Sequence, residues 1–377
     1  MGNDEMIYYI WLQLCVAQGS KSVGKLYDLG LDAKEIYDMN FEERKALEIF
    51  TKTELQRMNE TPLSKADAIL KDCQKGNIQV ISIYDEIYPD VLRCIFNPPL
   101  VLYVKGDLLD FDNTPTISIV GPRKVSEFGK KAAYSLGYRL AKSGMNVVSG
   151  GAIGTDTYAH IGALKAGGKT ALVMGCGFNV SYLEENRGLR EHIEKCGCLI
   201  TEYPPNTPAS RFTFPIRNRI ISALSLGTLV VEAPKRSGAL ITANHAIEQG
   251  KDVFVIPGSP DANEYKGSNA LLRDGAKPLL DTSDVFNEYI PLFPDKIDIE
   301  KAFKKEPKPE KPQKNKKILN ETLSNEAKIV YNCLDTHRFY PDELNTGLES
   351  GKLLSALTEL EMEFIIRALP GGQYEVC

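Results

Sequence analysis

The 377-residue sequence predicts an α/β protein in three parts: a Rossmann-like core built on a parallel sheet, an N-terminal helical domain and a C-terminal winged-helix domain. Three observations carry that expectation. Six short β-branched runs, apolar throughout, recur 24 to 30 residues apart from Thr116 onward, and a strand apolar on both faces is one covered by helices on both sides. Ahead of them, residues 1–77 place apolar side chains at helical spacing. Behind them, a lysine- and proline-rich stretch, 291–320, sets off residues 321–377, where three helical patterns precede a hairpin with a Gly-Gly turn.

In chain order, Ile7–Val16 and Phe41–Leu55 read as helices joined by a Gly/Ser turn at Gln18–Gly24, a small module of the SAM or helix-hairpin-helix kind. Its turn, Gly19 to Gly24, can set backbone amides against a phosphate, although a short polar turn between helices more often only connects them. The core domain spans 78–290. Gln79–Ile83 and Val101–Val104, either side of a Pro98-Pro99 corner, extend one edge of its sheet, and the six strands of the core are Thr116–Val120, Asn146–Ser149, Thr170–Met174, Cys198–Thr201, Thr228–Glu232 and Asp252–Ile256. Residues 291–320 have few apolar anchors and read as a flexible linker. In the last domain the helices are Ser324–Leu334, a short one opened by Pro341-Asp342-Glu343, and Leu353–Met362, and the hairpin strands are Phe364–Leu369 and Gln373–Val376.

Composition narrows the function classes. With 43% hydrophobic and 25% charged residues the chain is that of a globular protein, and no stretch approaches the roughly 20 apolar residues of a membrane helix, so the expectation is a cytoplasmic protein with no membrane partner. Eight cysteines without a C-x-x-C and four scattered histidines imply neither a disulfide framework nor a metal site, and nothing calls for a cofactor. A formal charge of −5 argues against coating nucleic acid by bulk attraction, so any such contact needs a local basic patch. Two occur. Between Tyr203 and Val231 there is no acidic residue but there are Arg211, Arg217 and Arg219, with Lys235 and Arg236 soon after, and from Lys301 to Lys317 eight lysines face only Glu306 and Glu310.

The motifs gather where an open α/β sheet binds ligands, at the carboxyl ends of its strands. Ile119-Val120-Gly121-Pro122-Arg123 follows the first core strand, and an arginine at such a turn has few partners other than an anion. Ser149-Gly150-Gly151-Ala152-Ile153-Gly154-Thr155-Asp156 follows the second as a glycine-rich loop opening a helix, with Asp156 expected to cap it and His160, one turn on, to pack rather than catalyse. Arg217, Asn218 and Arg219 begin one helix and Lys235, Arg236, Ser237, Gly238 and Thr242 surround the start of another, with Phe212 and Phe214 available to stack on bases. The plainer alternative pairs these arginines with Glu202 and Glu232 on a solvated face. Gly267-Ser268-Asn269 offers further amides at the same edge. Two look-alikes are set aside: Gly175-Cys176-Gly177 lacks the third glycine of a dinucleotide fingerprint, and Ala163 to Thr170, which fits a relaxed phosphate-loop pattern, runs from helix into strand, the wrong direction for a phosphate cradle.

From Gln79 to Leu280 these motifs resemble the DNA-processing protein A (DprA/Smf) family: Gly121-x-Arg123, Ser149-Gly150-Gly151-Ala152-x-Gly154-x-Asp156, Ala159-His160, Phe214-Pro215-x-Arg217-Asn218-Arg219, Val231-Glu232-Ala233, Ser237-Gly238-x-Leu240-Ile241-Thr242-Ala243 and Pro257-Gly258. The resemblance implies a non-enzymatic homodimer that binds single-stranded DNA, protects incoming DNA and loads a RecA-type recombinase during natural transformation (competence), with single-strand-binding protein as a candidate partner. It implies a DNA-binding set of Arg123, Gly150, Gly151, Gly154, Arg217, Asn218, Arg219, Lys235, Arg236, Ser237, Gly238 and Thr242. Pro122 and Thr155 depart from the serine and isoleucine common in that family. The expected mechanism is a groove that grips phosphates and is too narrow for a duplex. Two rivals stand beside it: a nucleotide-processing enzyme cleaving glycosidic bonds through Asp156, Glu202 and Glu232, and a duplex-reading transcription factor acting through the winged helix. Leu353–Met362 carries Glu359 and Glu361 and no lysine or arginine, so protein contacts are expected of that helix.

Overall fold

A computed structural model describes residues 3–304, 323–334, 338–363, 365–369 and 372–376. Its centre is a nine-stranded sheet in the order β1-β2-β6-β5-β4-β3-β7-β8-β9. The strands are β1 (Gln79–Ser82), β2 (Val101–Gly106), β3 (Thr116–Val120), β4 (Asn146–Ser149), β5 (Thr170–Val173), β6 (Cys198–Thr201), β7 (Gly227–Val230), β8 (Asp252–Val255) and β9 (Lys277–Pro278). Strands β3 to β9 are mutually parallel, and β1 and β2 close one edge antiparallel to each other, with β2 antiparallel to β6. The six core strands lie where the apolar runs place them; β9, two residues long, gave no such run.

Alternation along each strand divides its side chains between two layers. Ile117, Ile119, Val147, Leu229 and Phe254 pack under α8 (Glu127–Lys142), α9 (Thr155–Lys165), α14 (Thr282–Tyr289) and α15 (Ile299–Phe303). Val120, Val148, Val230 and Val255 face the other way, toward α11 (Thr213–Ala223) and α12 (Gly238–Glu248). Helices α10 (Arg187–Cys196) and α13 (Ser268–Arg273) flank β6 and β8. The pair α8 and α9 touch almost backbone to backbone: a Cβ at Gly137 would lie 2.2 Å from the Ala159 carbonyl oxygen, and one at Gly162 the same distance from that of Tyr134.

The N-terminal module consists of α1 (Asn3–Cys15), α2 (Lys21–Asp28), α3 (Ala33–Asp38), α4 (Phe41–Ala46), α5 (Lys52–Glu60) and α6 (Leu63–Lys75), followed by the short α7 (Asp90–Arg93) beyond β1. It has no core of its own: Trp11, Leu12, Leu26 and Cys73 pack in one cluster with Leu102 and Tyr103 of β2. Gln13 fastens α1 to the sheet, its amide donating to the Val101 and Glu202 carbonyls at 3.1 and 2.8 Å and accepting from the Tyr103 hydroxyl at 2.8 Å. The single helix expected over Phe41–Leu55 is two, because Thr51 and Glu54 form a capping box that starts α5 afresh, a Thr-x-x-Glu signal present in the sequence. The Gly19–Gly24 segment is not an open turn. Ser20 caps α2, which begins at Lys21, Asn97 donates to the Gly19 carbonyl, and Gly24 abuts the Phe96 carbonyl, so this stretch faces protein.

Residues 291–304 depart from the expected linker. Phe293, Ile297, Ile299 and Ala302 join the α8 core layer, Asp298 N–H donates to the Ser143 carbonyl at 2.9 Å, and Arg139 lies over the Phe303 ring. The anchors are few but spaced to reach one groove. The remainder of that stretch, 305–320, lies outside the described residues. The C-terminal unit contains α16 (Asn325–Asn332), a 3₁₀ turn at Pro341–Glu343, α17 (Ser350–Met362) and a three-stranded antiparallel sheet, β10-β12-β11, of β10 (Arg338–Phe339), β11 (Ile366–Leu369) and β12 (Gln373–Val376). Its elements follow the order expected, with the strand β10 added and α17 three residues longer at its start than the Leu353–Met362 pattern. No helix among the described residues is long and apolar enough to cross a membrane.

Candidate functional site

Strands β4, β5 and β6 lie to one side of β3 and β7, β8 and β9 to the other, so the direction of winding reverses at β3, and the loops leaving β3 and its neighbours splay apart to open a crevice. A cleft of about 290 Å³ occupies that place. Its walls come from four segments: Val120 at the end of β3 with Gly121, Pro122 and Arg123 after it; Ala152 and Asp156 after β4; Phe214, Arg217, Asn218 and Ile221 on α11; and Pro234, Arg236, Ser237, Gly238, Ala239 and Thr242 around the start of α12.

Arg123 is exposed, with its guanidinium donating to the Tyr182 hydroxyl at 3.1 Å and lying over the Phe214 ring, which itself packs on Tyr182 at 5.1 Å between centroids. Arg217, only 5% exposed, donates to the carbonyls of Gly150, at 2.9 Å, and Val173, tying the ends of β4 and β5 to α11, and is one of the residues that line the cleft. Asn218 donates to the Gly238 carbonyl at 3.3 Å. Ser237 caps α12 by accepting from Ala239 N–H, and the space beside Gly238 is open, so the positive end of the eleven-residue α12 points into the cleft beside exposed Arg236. Thr242, one turn along, completes that wall, and exposed Lys235 stands beside Arg236 without lining the cleft. Three arginines thus oppose one carboxylate, Asp156.

The three loop glycines shape the cleft without lining it. A Cβ at Gly150 would meet the Arg217 guanidinium at 2.8 Å, one at Gly151 would meet Leu172, and one at Gly154 would lie 2.4 Å from the Arg123 carbonyl; Gly154 also has φ +101°, a region other residues avoid. Asp156 does not cap α9, whose N-cap is Gly154; its carboxylate accepts from Ala152 N–H at 3.2 Å and so braces the loop before the helix. Burial raises its pKa against the opposing pull of Arg217.

Arg219 is the clear departure. It is 2% exposed on the far side of α11 and donates to Glu202 Oε2 at 2.5 Å, so this arginine is engaged inside the protein and does not line this cleft. Arginines two apart on a helix point some 200° apart, which is why 217 and 219 cannot share one face. Glu232 is equally engaged, accepting from Ser126 N–H at 3.1 Å, the Ser126 hydroxyl and the Tyr265 hydroxyl at 3.1 Å. Of the three carboxylates an enzyme would use, only Asp156 faces the cleft. The amides of Gly267 and Ser268 are taken by the Ala233 carbonyl. His160 packs as expected: Thr170 donates to the Val147 carbonyl, which leaves His160 Nδ1 to donate to Thr170 Oγ1 at 2.7 Å, and burial lowers its pKa to about 3. Neither look-alike loop has the form of a phosphate cradle. A Cβ at Gly177 would collide with the Pro204 and Pro205 carbonyls, and Gly167, at φ +69°, ends α9 before β5.

Two contributors gave no sequence signal. Tyr182 partners Arg123, and Asn186 donates to the Gly151 carbonyl at 3.1 Å and the Thr157 hydroxyl at 3.0 Å, securing the glycine-rich loop. Both lie in a polar stretch with no periodicity.

The model of the family described as DNA recombination-mediator protein A matches residues 79–290. DNA processing protein DprA of Bacillus subtilis (strain 168) is 38% identical over 224 residues, 59% of this chain and 75% of that protein. DprA of Streptococcus pneumoniae (strain ATCC BAA-255 / R6) is 40% identical over 208 residues, 55% of this chain and 73% of that one. The X-ray structure of DprA from Streptococcus pneumoniae superposes with a TM-score of 0.65 at 32% identity, covering 74% of this chain and 97% of that chain. A structure of DNA processing protein A from Helicobacter pylori, described for its single-stranded DNA binding mode, gives 0.52 at 27% identity, covering 57% and 96%. The cleft at the winding reversal, the motifs that build it and the match over 79–290 agree, and the chain belongs to the DNA recombination-mediator protein A family.

Proposed function

We propose that the cleft grips the backbone of a single DNA strand and that the protein acts without catalysis, as a homodimeric mediator that protects the strand and presents it to a RecA-type recombinase, in natural transformation where the cell takes up DNA. The observation that carries the reading is the convergence of Arg123, Arg217, Arg236 and the α12 N-terminus on one crevice of about 290 Å³, lined with donors for phosphate oxygens. Phe212, 66% exposed at the head of α11 with Arg211 over its ring, offers a stacking face for a base at the rim. The relative from Helicobacter pylori, described as a single-strand binder, supports the assignment. RecA loading, partnership with single-strand-binding protein and dimerisation rest on the family resemblance, and a cytoplasmic location rests on the composition of the sequence.

Titration of fluorescent single-stranded and duplex oligonucleotides at two salt concentrations tests the reading. Tight, salt-sensitive preference for the single strand that Arg123→Ala and Arg236→Ala each weaken is expected. Equal affinity for both forms, or variants that bind like wild type, would refute it. Hydrolysis of a nucleotide lost in Asp156→Asn would instead establish the enzyme alternative.

A further inference from the structure

The long helix of the C-terminal unit sets one face against the core domain. Ser355 on α17 accepts a hydrogen bond from Gly188 N–H at 3.1 Å, so a hydroxyl from one unit satisfies a first-turn amide of α10 in another. Glu326 of α16 pairs with Arg187 Nη2 at 3.1 Å, Glu363 lies 3.7 Å from His192 Nε2, and Met362 is 4% exposed in a cluster with Ile161, Leu189 and Ile193 of the core. Apolar burial, a helix cap and two ion pairs thus seat this unit on α10.

The segment that feeds α10 is the one that holds the cleft. Leu183 sits at φ +52°, a left-handed conformation unfavourable for a branched apolar residue, and such strain persists only where the surroundings fix it. Arg190 donates to its carbonyl at 2.9 Å. One residue before it, Tyr182 accepts from Arg123 and packs on Phe214; three residues after it, Asn186 holds the Gly151 carbonyl and Thr157. A Cβ at Gly351, at the start of α17, would lie 3.3 Å from the Glu184 side chain.

We infer that the C-terminal unit is a positioning element for the cleft: seated on α10, it fixes the 182–186 segment, through which Tyr182 orients Arg123 toward the DNA. The inference rests on the proposed function. It assigns the unit a part in DNA binding although none of its residues lines the cleft.

The test uses the full-length protein with Glu326→Arg, Ser355→Arg, Tyr182→Phe and the reversed pair Arg187→Glu/Glu326→Arg. Hydrogen exchange across 186–189 reads the docking, and anisotropy of a labelled single strand over a range of salt reads the grip. Release by Glu326→Arg or Ser355→Arg should speed exchange and weaken binding about fivefold or more. The salt slope should be unchanged, because the bound strand still draws Arg123 onto its phosphate and only the cost of ordering that arginine rises, and the reversed pair should recover both readouts. Glu326→Arg adds a positive charge, so simple attraction predicts tighter binding and positioning predicts weaker. Tyr182→Phe should reproduce the loss with docking intact. Faster exchange with unchanged or tighter binding would overturn the inference, as would exchange unmoved by both arginine substitutions, or a Tyr182→Phe variant that binds like wild type. If wild type itself shows no single-strand preference, the functional reading falls and takes this inference with it.

Discussion

Replacing Arg219 with methionine leaves the Glu202 carboxylate, 2% exposed, without its cation. Breaking a buried ion pair from one side costs about 3–5 kcal/mol, a large part of the stability of an ordinary domain. At a urea dependence of about 2 kcal/mol per molar, the unfolding midpoint should fall by about 2 M. Burial already raises the Glu202 pKa above its ordinary 4.5, and Arg219 is what opposes the rise. Without Arg219 the folded carboxyl holds its proton to higher pH than the unfolded one, so the variant should lose stability as pH rises above about 4.5 and regain it on acidification. In Arg219→Met/Glu202→Met the orphaned charge is gone. Glu202 Oε1 and Arg219 Nε and Nη1 have no hydrogen-bond partner among the described residues, so little is forfeited with the pair, and the double variant should match wild type or exceed it by about 1–4 kcal/mol. Trp11, the sole tryptophan, is fully buried in the layer between the N-terminal helices and the sheet, so urea titration followed by its fluorescence reads the relevant core. The double variant should keep wild-type affinity and salt slope for a single strand. A double variant as unstable as the single one, or a slope shallower by one phosphate contact, would refute the internal role of Arg219.

Arg123→Ala should reduce the logarithmic salt slope of single-strand binding by about 0.7, the value of one contact, with thermal stability unchanged. Gly154→Ala, which forces a Cβ against the Arg123 carbonyl at φ +101°, should cost about 1–3 kcal/mol by denaturation and displace the Arg123 turn, so that binding weakens as well. Docking of the C-terminal unit should depend on pH through His192, whose pKa is raised first by Glu363, and Glu363, whose pKa is lowered first by His192; Glu359, Lys165 and the Gly188 carbonyl also face this pair. Its contribution is full between the ordinary values of the two groups, 4.5 and 6.5, and is lost as pH rises through the elevated His192 value or falls through the depressed Glu363 value. Exchange of the Gly188 amide relative to its intrinsic rate, followed from pH 5 to 9, checks the alkaline limb, which His192→Gln should flatten.

The parallel sheet was legible because its strands are apolar on both faces, a pattern that survives without knowledge of neighbours, and the cleft because glycine turns and helix starts recur at the same end of successive strands. What escaped depends on facing, which periodicity alone leaves open. Arg217 and Arg219 lie in one basic run, and only the set of the α11 helix on the sheet decides that the first meets the cleft and the second meets Glu202. Asp156 has the composition of a cap, but the loop folds back to bring Ala152 N–H to it. Tyr182 and Asn186 act through partners more than 25 residues distant in sequence, at contacts spanning 59 and 35 residues, and no local pattern encodes such a pair. Phe293, Ile297 and Phe303 were diluted among lysines and prolines.

The winding reversal at β3 has a kinetic consequence. One wall of the cleft is complete once β3, β4 and the loops to Asp156 are in place, but the other arrives with α11 and β7, and the pairing that joins the two halves spans 110 residues, as between Ser118 and Thr228. Closing so long a loop is entropically slow compared with forming the local β-α-β units. During refolding, helical signal should therefore recover first and the capacity to hold a strand last, and a chain still emerging from the ribosome would be unable to seize DNA until both halves of its sheet had met.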